Sequence, residues 1–151
     1  MSVRVQEQDF DVGRELVALT DGRVDVGAVA SFVGLVRDRN DGQGVSEMTL
    51  EHYPGMTQSA LEDIVGQAQA RWDLLDVLVV HRYGRLMPGD KIVLVLVSSA
   101  HRGEAFSACE FIMDFLKTGA PFWKKEATPQ GSRWVDARDS DTEAAQRWEA
   151  K

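Results

Sequence analysis

The chain has 151 residues, 44% of them hydrophobic, and a formal net charge of −7 from 17 Lys and Arg against 24 Asp and Glu. This length fits one domain, 1–151, with a full core, and the hydrophobic content excludes wholesale disorder. A pI near 4.9 speaks against general nucleic-acid binding, because phosphate backbones repel an acidic surface unless its basic residues segregate.

The longest purely apolar run, 92–97, is far short of the roughly 20 residues a membrane span needs. The first ten residues carry Arg4, Glu7 and Asp9 and contain no apolar secretory core, so the cytoplasm is the expected compartment. A single cysteine, Cys109, excludes an internal disulfide and a cysteine zinc cluster.

Residues 3–5 read as a short strand. Asp9 or Asp11 is placed to N-cap a helix to about Thr20, with Val12, Leu16 and Leu19 on one face. Residues 26–36 contain no charge and read as a buried strand in which Gly27 and Gly34 suggest a bulge or a close backbone approach. Residues 37–44, RDRNDGQG, read as a flexible loop.

A strand over 45–53 ends at Pro54-Gly55. A helix over 56–72 follows, with Leu61, Ile64, Val65, Ala68 and Trp72 at helical spacing and Thr57 or Ser59 as cap. Residues 77–83 form a strand, 84–90 a turn around Pro88-Gly89, and 91–99, with IVLVLV at its centre, the most strand-like segment. The next helix, through Leu116, is apolar nearly all round and so is buried on most faces, by the core or by a partner. It stops at Thr118-Gly119 with Pro121 beyond. Short strands are predicted at 122–127 and 133–135, and an acidic tail, mobile or a short helix, from Asp139. This order predicts an α+β fold with a mostly antiparallel or mixed sheet and about three helices.

Basic residues gather at segment boundaries, where loops meet. These are Arg37 and Arg39, His101 and Arg102, Lys117, Lys124 and Lys125, and Arg138. Brought together they would make a cationic pocket on an acidic protein, suited to a small anion, phosphate above all. Arg37 and Arg39 have the alternative of solvating a loop. Positive charge at His101-Arg102 opposes a helix N-terminal dipole, and that conflict favours function there.

Lys117 in a last helical turn is also where a structural cation belongs. Its company of Phe115, Leu116 and Pro121-Phe122-Trp123 points to partial desolvation, which suits an acid/base or nucleophilic lysine. Cys109, mid-helix among apolar residues, reads as a structural thiol. His52, His81 and His101 are scattered, so no metal site is expected.

Three segments carry a family resemblance: LEHYPGMT (50–57), SAHR (99–102) and LKTGAPFWKKE (116–126). With GAVASFVGLVR (27–37), HRYGRLMPGD (81–90) and RWVDARDSD (133–141), they make the chain resemble the large, catalytic subunit of molybdopterin synthase along nearly its whole length. The resemblance implies an α/β hammerhead-type fold and a homodimer at the centre of a heterotetramer, with no cofactor of its own.

Each large subunit would then bind a small ubiquitin-like sulfur carrier, whose thiocarboxylated C-terminal Gly-Gly enters the active site. Two sulfurs would pass in turn to cyclic pyranopterin monophosphate, forming the dithiolene of molybdopterin for molybdenum cofactor biosynthesis. By motif, Lys117 matches the catalytic lysine and Lys124 a second active-site lysine. Arg37, His101 and Arg102 match substrate-binding positions. Lys125 and Glu126 complete the binding run, and Arg138 is a further pocket residue. The rival readings are a noncatalytic anion-binding or scaffold subunit of the same fold and, against the acidic pI, a nucleic-acid-binding domain.

Overall fold

A computed structural model describes residues 1–40, 42–135 and 139–149. The elements in order are β1 (Ser2–Gln6), α1 (Val12–Thr20), β2 (Ala28–Leu35), β3 (Arg39–Asn40), β4 (Gln43–Gly44), β5 (Glu47–His52), α2 (Met56–Arg71), β6 (Asp76–Arg82), β7 (Gly84–Leu86), β8 (Lys91–Ser99), α3 (Arg102–Gly119), β9 (Phe122–Thr128), β10 (Gly131–Val135) and α4 (Asp139–Gln146).

Two four-stranded sheets carry the molecule, one in the order β1-β6-β8-β2 and the other β10-β9-β5-β7. Only β1 and β6 run parallel, and every other recorded pairing is antiparallel, as an α+β chain with hairpin connections requires. The apolar centre of β8 is buried on both faces. Val93, Val95 and Val97 pack with Val77 and Val79 beneath α2 and α3, while Leu94 and Leu96 meet Leu78, Val80 and Phe10 on the side that α1 covers. A strand enclosed on both sides has no polar face to show, hence its unbroken IVLVLV.

Helix α3 lies on the first sheet through Ala105, Ala108, Cys109, Phe111, Ile112, Met113 and Leu116. Each large side chain so buried contributes about 1.5–3 kcal/mol. Phe106 on the same helix stays 64% exposed, so the core of one chain covers most faces of the helix but not that one. Cys109 is buried, and desolvation raises its thiol to about 11, keeping it the inert core group expected.

Local signals resolve in particular ways. Asp11, rather than Asp9, caps α1, accepting from the Arg14 amide at 3.0 Å. Neither Thr57 nor Ser59 caps α2. Its N-cap is Gly55 at φ +84°, in the left-handed region that glycine tolerates, and the Thr57 hydroxyl instead donates to the Tyr53 carbonyl at 2.9 Å. The turn expected at 84–90 contains the short strand β7, which closes the edge of the second sheet against β5.

The 37–44 loop folds back as the β3–β4 hairpin. Both glycine expectations in β2's neighbourhood hold: the register shifts at Gly34/Leu35, and a Cβ at Gly27 would lie 2.0 Å from the Ala100 carbonyl oxygen. Helix α4 packs on α3, where Arg147 pairs with Glu110 and Asp114, and the Trp148 indole donates to Asp114 at 2.7 Å.

Gly27→Ala should therefore destabilise the protein by about 1–3 kcal/mol, because backbone rather than a flexible side chain blocks the new methyl. Urea unfolding of the two proteins measures this, and an unchanged midpoint would refute the close approach.

Candidate active site

The second sheet presents two unlike faces. Strand β9 alternates: Phe122, Lys124 and Glu126 point one way, and Trp123 and Lys125 the other. The inward set meets the end of α3 and the chain after β2 around a cleft of about 380 Å³, lined by Arg37, Arg39, Asn40, Lys117, Phe122, Lys124, Glu126 and Asp141. A larger hollow of about 780 Å³ lies against β1, α1 and α2, but its charges, among them Arg4, Glu15, Glu62 and Asp76, are mixed and partly paired with one another. The smaller cleft is where cations converge.

Each side chain arrives for a local reason. Lys117 sits in the last turn of α3, favoured there by the helix dipole and presented when the helix ends at Ala120. Lys124 comes from mid-β9, paired opposite Leu50 of β5. Arg37 and Arg39 follow β2, whose end is pinned by hydrogen bonds from the Val36 amide to the Asp90 carbonyl (2.9 Å) and from the Gly89 amide to the Val36 carbonyl (2.7 Å).

Burial lowers Lys124 to about 8, and the neighbouring Lys117 adds to the effect, while Asp141 and Glu126 oppose it. The desolvation expected at Lys117 thus falls on Lys124. Lys117 is exposed in the last turn of α3, while Phe115 packs on the Phe111 ring and Phe122 on His81.

Behind Lys124 lies an aromatic stack that the sequence did not reveal. His81 stacks on Phe122 at 3.8 Å between ring centroids, and His52 lies 6.0 Å from the same Phe122 ring. The His81 Nδ1 is 2.8 Å from the Arg82 carbonyl, which makes Nδ1–H the donor. Burial pulls His81 down to about 4, so its ring is neutral near pH 7.

Several expected residues stand apart. His101 and Arg102 lie at the start of α3, about 22 Å from Lys117 at the helical rise of 1.5 Å per residue, so one chain does not bring them to its own cleft. Lys125 projects from the opposite face of β9, 5.6 Å over the Trp134 ring, because the strand period is two. Glu126 lines the cleft, but its buried carboxylate is already engaged by Asn40 and Arg133. Arg138 lies outside the described residues. Among the described residues, no group of three His, Cys, Asp or Glu side chains is gathered to hold a metal ion, and no helix is long and apolar enough to cross a membrane.

Comparison with known proteins decides the family. Residues 5–119 match the MoaE protein family. The chain belongs to that family. It is 67% identical over 147 residues to the molybdopterin synthase catalytic subunit of Ralstonia nicotianae, covering 97% of this chain and 84% of that one. The molybdopterin biosynthesis MoaE protein from Burkholderia ambifaria MC40-6 superposes with a TM-score of 0.84 at 53% identity, covering 99% of both chains. The same fold recurs at 19% identity and a TM-score of 0.70, over 91% of this chain and 90% of that one, in the complex of subunits 1 and 2 of molybdopterin-converting factor from Helicobacter pylori 26695. This MoaE chain thus has the α+β architecture its sequence predicts.

The Lys124 ammonium should titrate with a midpoint of about 8 in side-chain NMR. Lys117→Ala removes a neighbouring cation and should move the midpoint up, while Glu126→Gln removes a neighbouring anion and should move it down. A midpoint indifferent to Lys117→Ala would show that the two ammonium groups are not coupled.

Proposed function

We propose that this chain is the catalytic subunit of a molybdopterin synthase. In this reading it moves two sulfurs in turn from the thiocarboxylated Gly-Gly end of a small ubiquitin-like carrier to cyclic pyranopterin monophosphate, in the cytoplasm. The observation that carries this reading is the juxtaposition of Lys117 and Lys124 in a cleft that also holds Arg37 and Arg39. Thiocarboxylate, phosphate and enolate-type intermediates are all anionic, and a cluster of fixed cations lowers the energy of each without solvent reorganisation. The names of the MoaE relatives point to the same reaction.

In this mechanism the Arg37 side of the cleft takes the phosphate, since a guanidinium fork matches its oxygens. The lysine pair divides the remaining work. Lys117 is the group that the resemblance makes the acid/base, polarising the carrier-linked carbonyl or protonating the leaving oxygen. Lys124, held near 8, sheds a proton more readily than an ordinary lysine, so its charged form stabilises developing negative charge and can then give its proton to the leaving oxygen. Lys125 and Glu126 leave the list of direct substrate ligands on their geometry, Lys125 facing outward and Glu126 engaged by its neighbours.

His101 and Arg102 can serve such a cleft only in a second copy of the chain. Their role is therefore tied to the homodimer, whose surface would include the exposed Phe106 one turn along α3.

The test is a reconstituted assay with thiocarboxylated carrier and cyclic pyranopterin monophosphate, reading molybdopterin as its oxidised fluorescent derivative. Lys117→Ala and Lys124→Ala should each lower turnover by about 100-fold or more while leaving folding and carrier binding intact. Normal turnover by either variant would remove that lysine from the chemistry. Carrier binding with no product from the wild type would make the chain a noncatalytic anion-binding subunit.

A further inference from the structure

We propose that Asn40 and Arg133, joined through the buried carboxylate of Glu126, are positioning residues that hold the Arg37–Arg39 segment at a fixed distance from the lysine pair. The inference rests on the reading of the cleft as an anion-substrate site.

The segment that carries the two arginines has little structure of its own. β3 and β4 are two residues each, and an isolated hairpin of that size does not hold its shape in water. At one end it is tied by Val36, as described above. At the other, the Val45 amide donates to the Asp38 carbonyl at 2.7 Å and the Ser46 amide to the Ala127 carbonyl at 3.0 Å.

Between these ties Asn40 is held twice from the second sheet. Its side-chain amide donates to Glu126 Oε1 at 2.8 Å, and its carbonyl accepts from Arg133 Nη2 at 2.9 Å. Arg133 Nη2 also reaches Glu126 Oε1 at 3.5 Å, which closes a triangle across β3, β9 and β10.

The chemistry of Glu126 fits this role better than a substrate contact. Its residue is 6% exposed, and a carboxylate so buried is tolerated only when its charge is matched by donors. Asn40 and Arg133 supply them. Turned instead toward a phosphate, the same carboxylate would repel it. Glu126 is also two residues from Lys124 on one strand face, so the bond to Asn40 links the arginine segment to the strand that sets the lysine. The span between phosphate-binding and sulfur-accepting ends of a substrate is thereby fixed by a side-chain triangle rather than by loop backbone. Arg133 Nε is enclosed without a hydrogen-bond partner, so the guanidinium keeps this placement at the expense of one of its own donors.

The experiment compares full-length wild type, Asn40→Ala, Arg133→Ala and Arg133→Lys, with hydrogen exchange over residues 36–46 and steady-state kinetics against the pterin. Asn40→Ala should speed exchange at the Val45 amide and raise KM about tenfold, the effect of one charge-assisted hydrogen bond, with kcat within about twofold of wild type. Arg133→Lys should recover part of what Arg133→Ala loses. The Asn40→Ala, Arg133→Ala double variant should raise KM no further than the worse single variant.

Unchanged exchange, or a fall in kcat at unchanged KM, would overturn the proposal. If the wild type itself yields no product, the proposed reaction fails, and calorimetry with inorganic phosphate then tests the clamp. Weaker phosphate binding by Asn40→Ala upholds it, and equal binding overturns it.

Discussion

Two ammonium groups repel one another, and an acidic protein that sets them side by side must hold them there by force of packing. Much of the fold follows from that requirement. Lys117 is fixed because α3 is anchored along most of its length on the first sheet, from Ala105 to Leu116. Lys124 is fixed because β9 lies between two partners, β5 and β10, and cannot bow away. The free energy that keeps the like charges together comes from apolar burial elsewhere, and part of the strain is relieved by Lys124 binding its proton less tightly.

Around this pair the remaining charges are arranged by distance. Asp141 and Glu126 temper the repulsion without neutralising it. Glu126 is kept from folding onto the lysines by Asn40 and Arg133. His81, stacked on Phe122 and kept neutral by burial, adds polarizable surface behind the cleft without adding a further cation. The result is a small region of net positive potential on a molecule of net charge −7, which draws anions to one place rather than to the whole surface.

The sequence disclosed those parts that rest on short-range rules. The strand over 91–99 and the helix leading to Lys117 were legible because continuous burial and helical periodicity leave direct traces in residue type. Gly27 and Gly34 were legible because a missing side chain signals a backbone constraint. Lys117 and Lys124 were legible as a candidate pair from motif, but their unequal burial was not, since it depends on where α3 ends relative to β9.

The separation of His101 and Arg102 from the cleft could have been read from helix length alone, which puts the two ends of α3 too far apart. Lys125 could likewise have been turned outward by counting along a strand of period two. Asn40 carried no signal: an asparagine between an aspartate and an arginine looks like any loop residue until its partners, 86 and 93 positions away, are folded against it.

The alternation of β9 has a consequence for how this site can vary. Lys124 and Glu126 face the cleft while Trp123 and Lys125 face outward, and every one of them is placed by its count from the end of α3. Substitution at one of these positions changes one side chain. Insertion or deletion of a single residue between Gly119 and Phe122 would exchange the two faces at once, delivering an indole and a wrongly placed ammonium to the cleft and stranding the buried carboxylate in solvent. The spacing of this turn is therefore as much a part of the chemistry as the lysines are, and a chain that kept every residue type but lost that spacing would keep its sheet and lose its site.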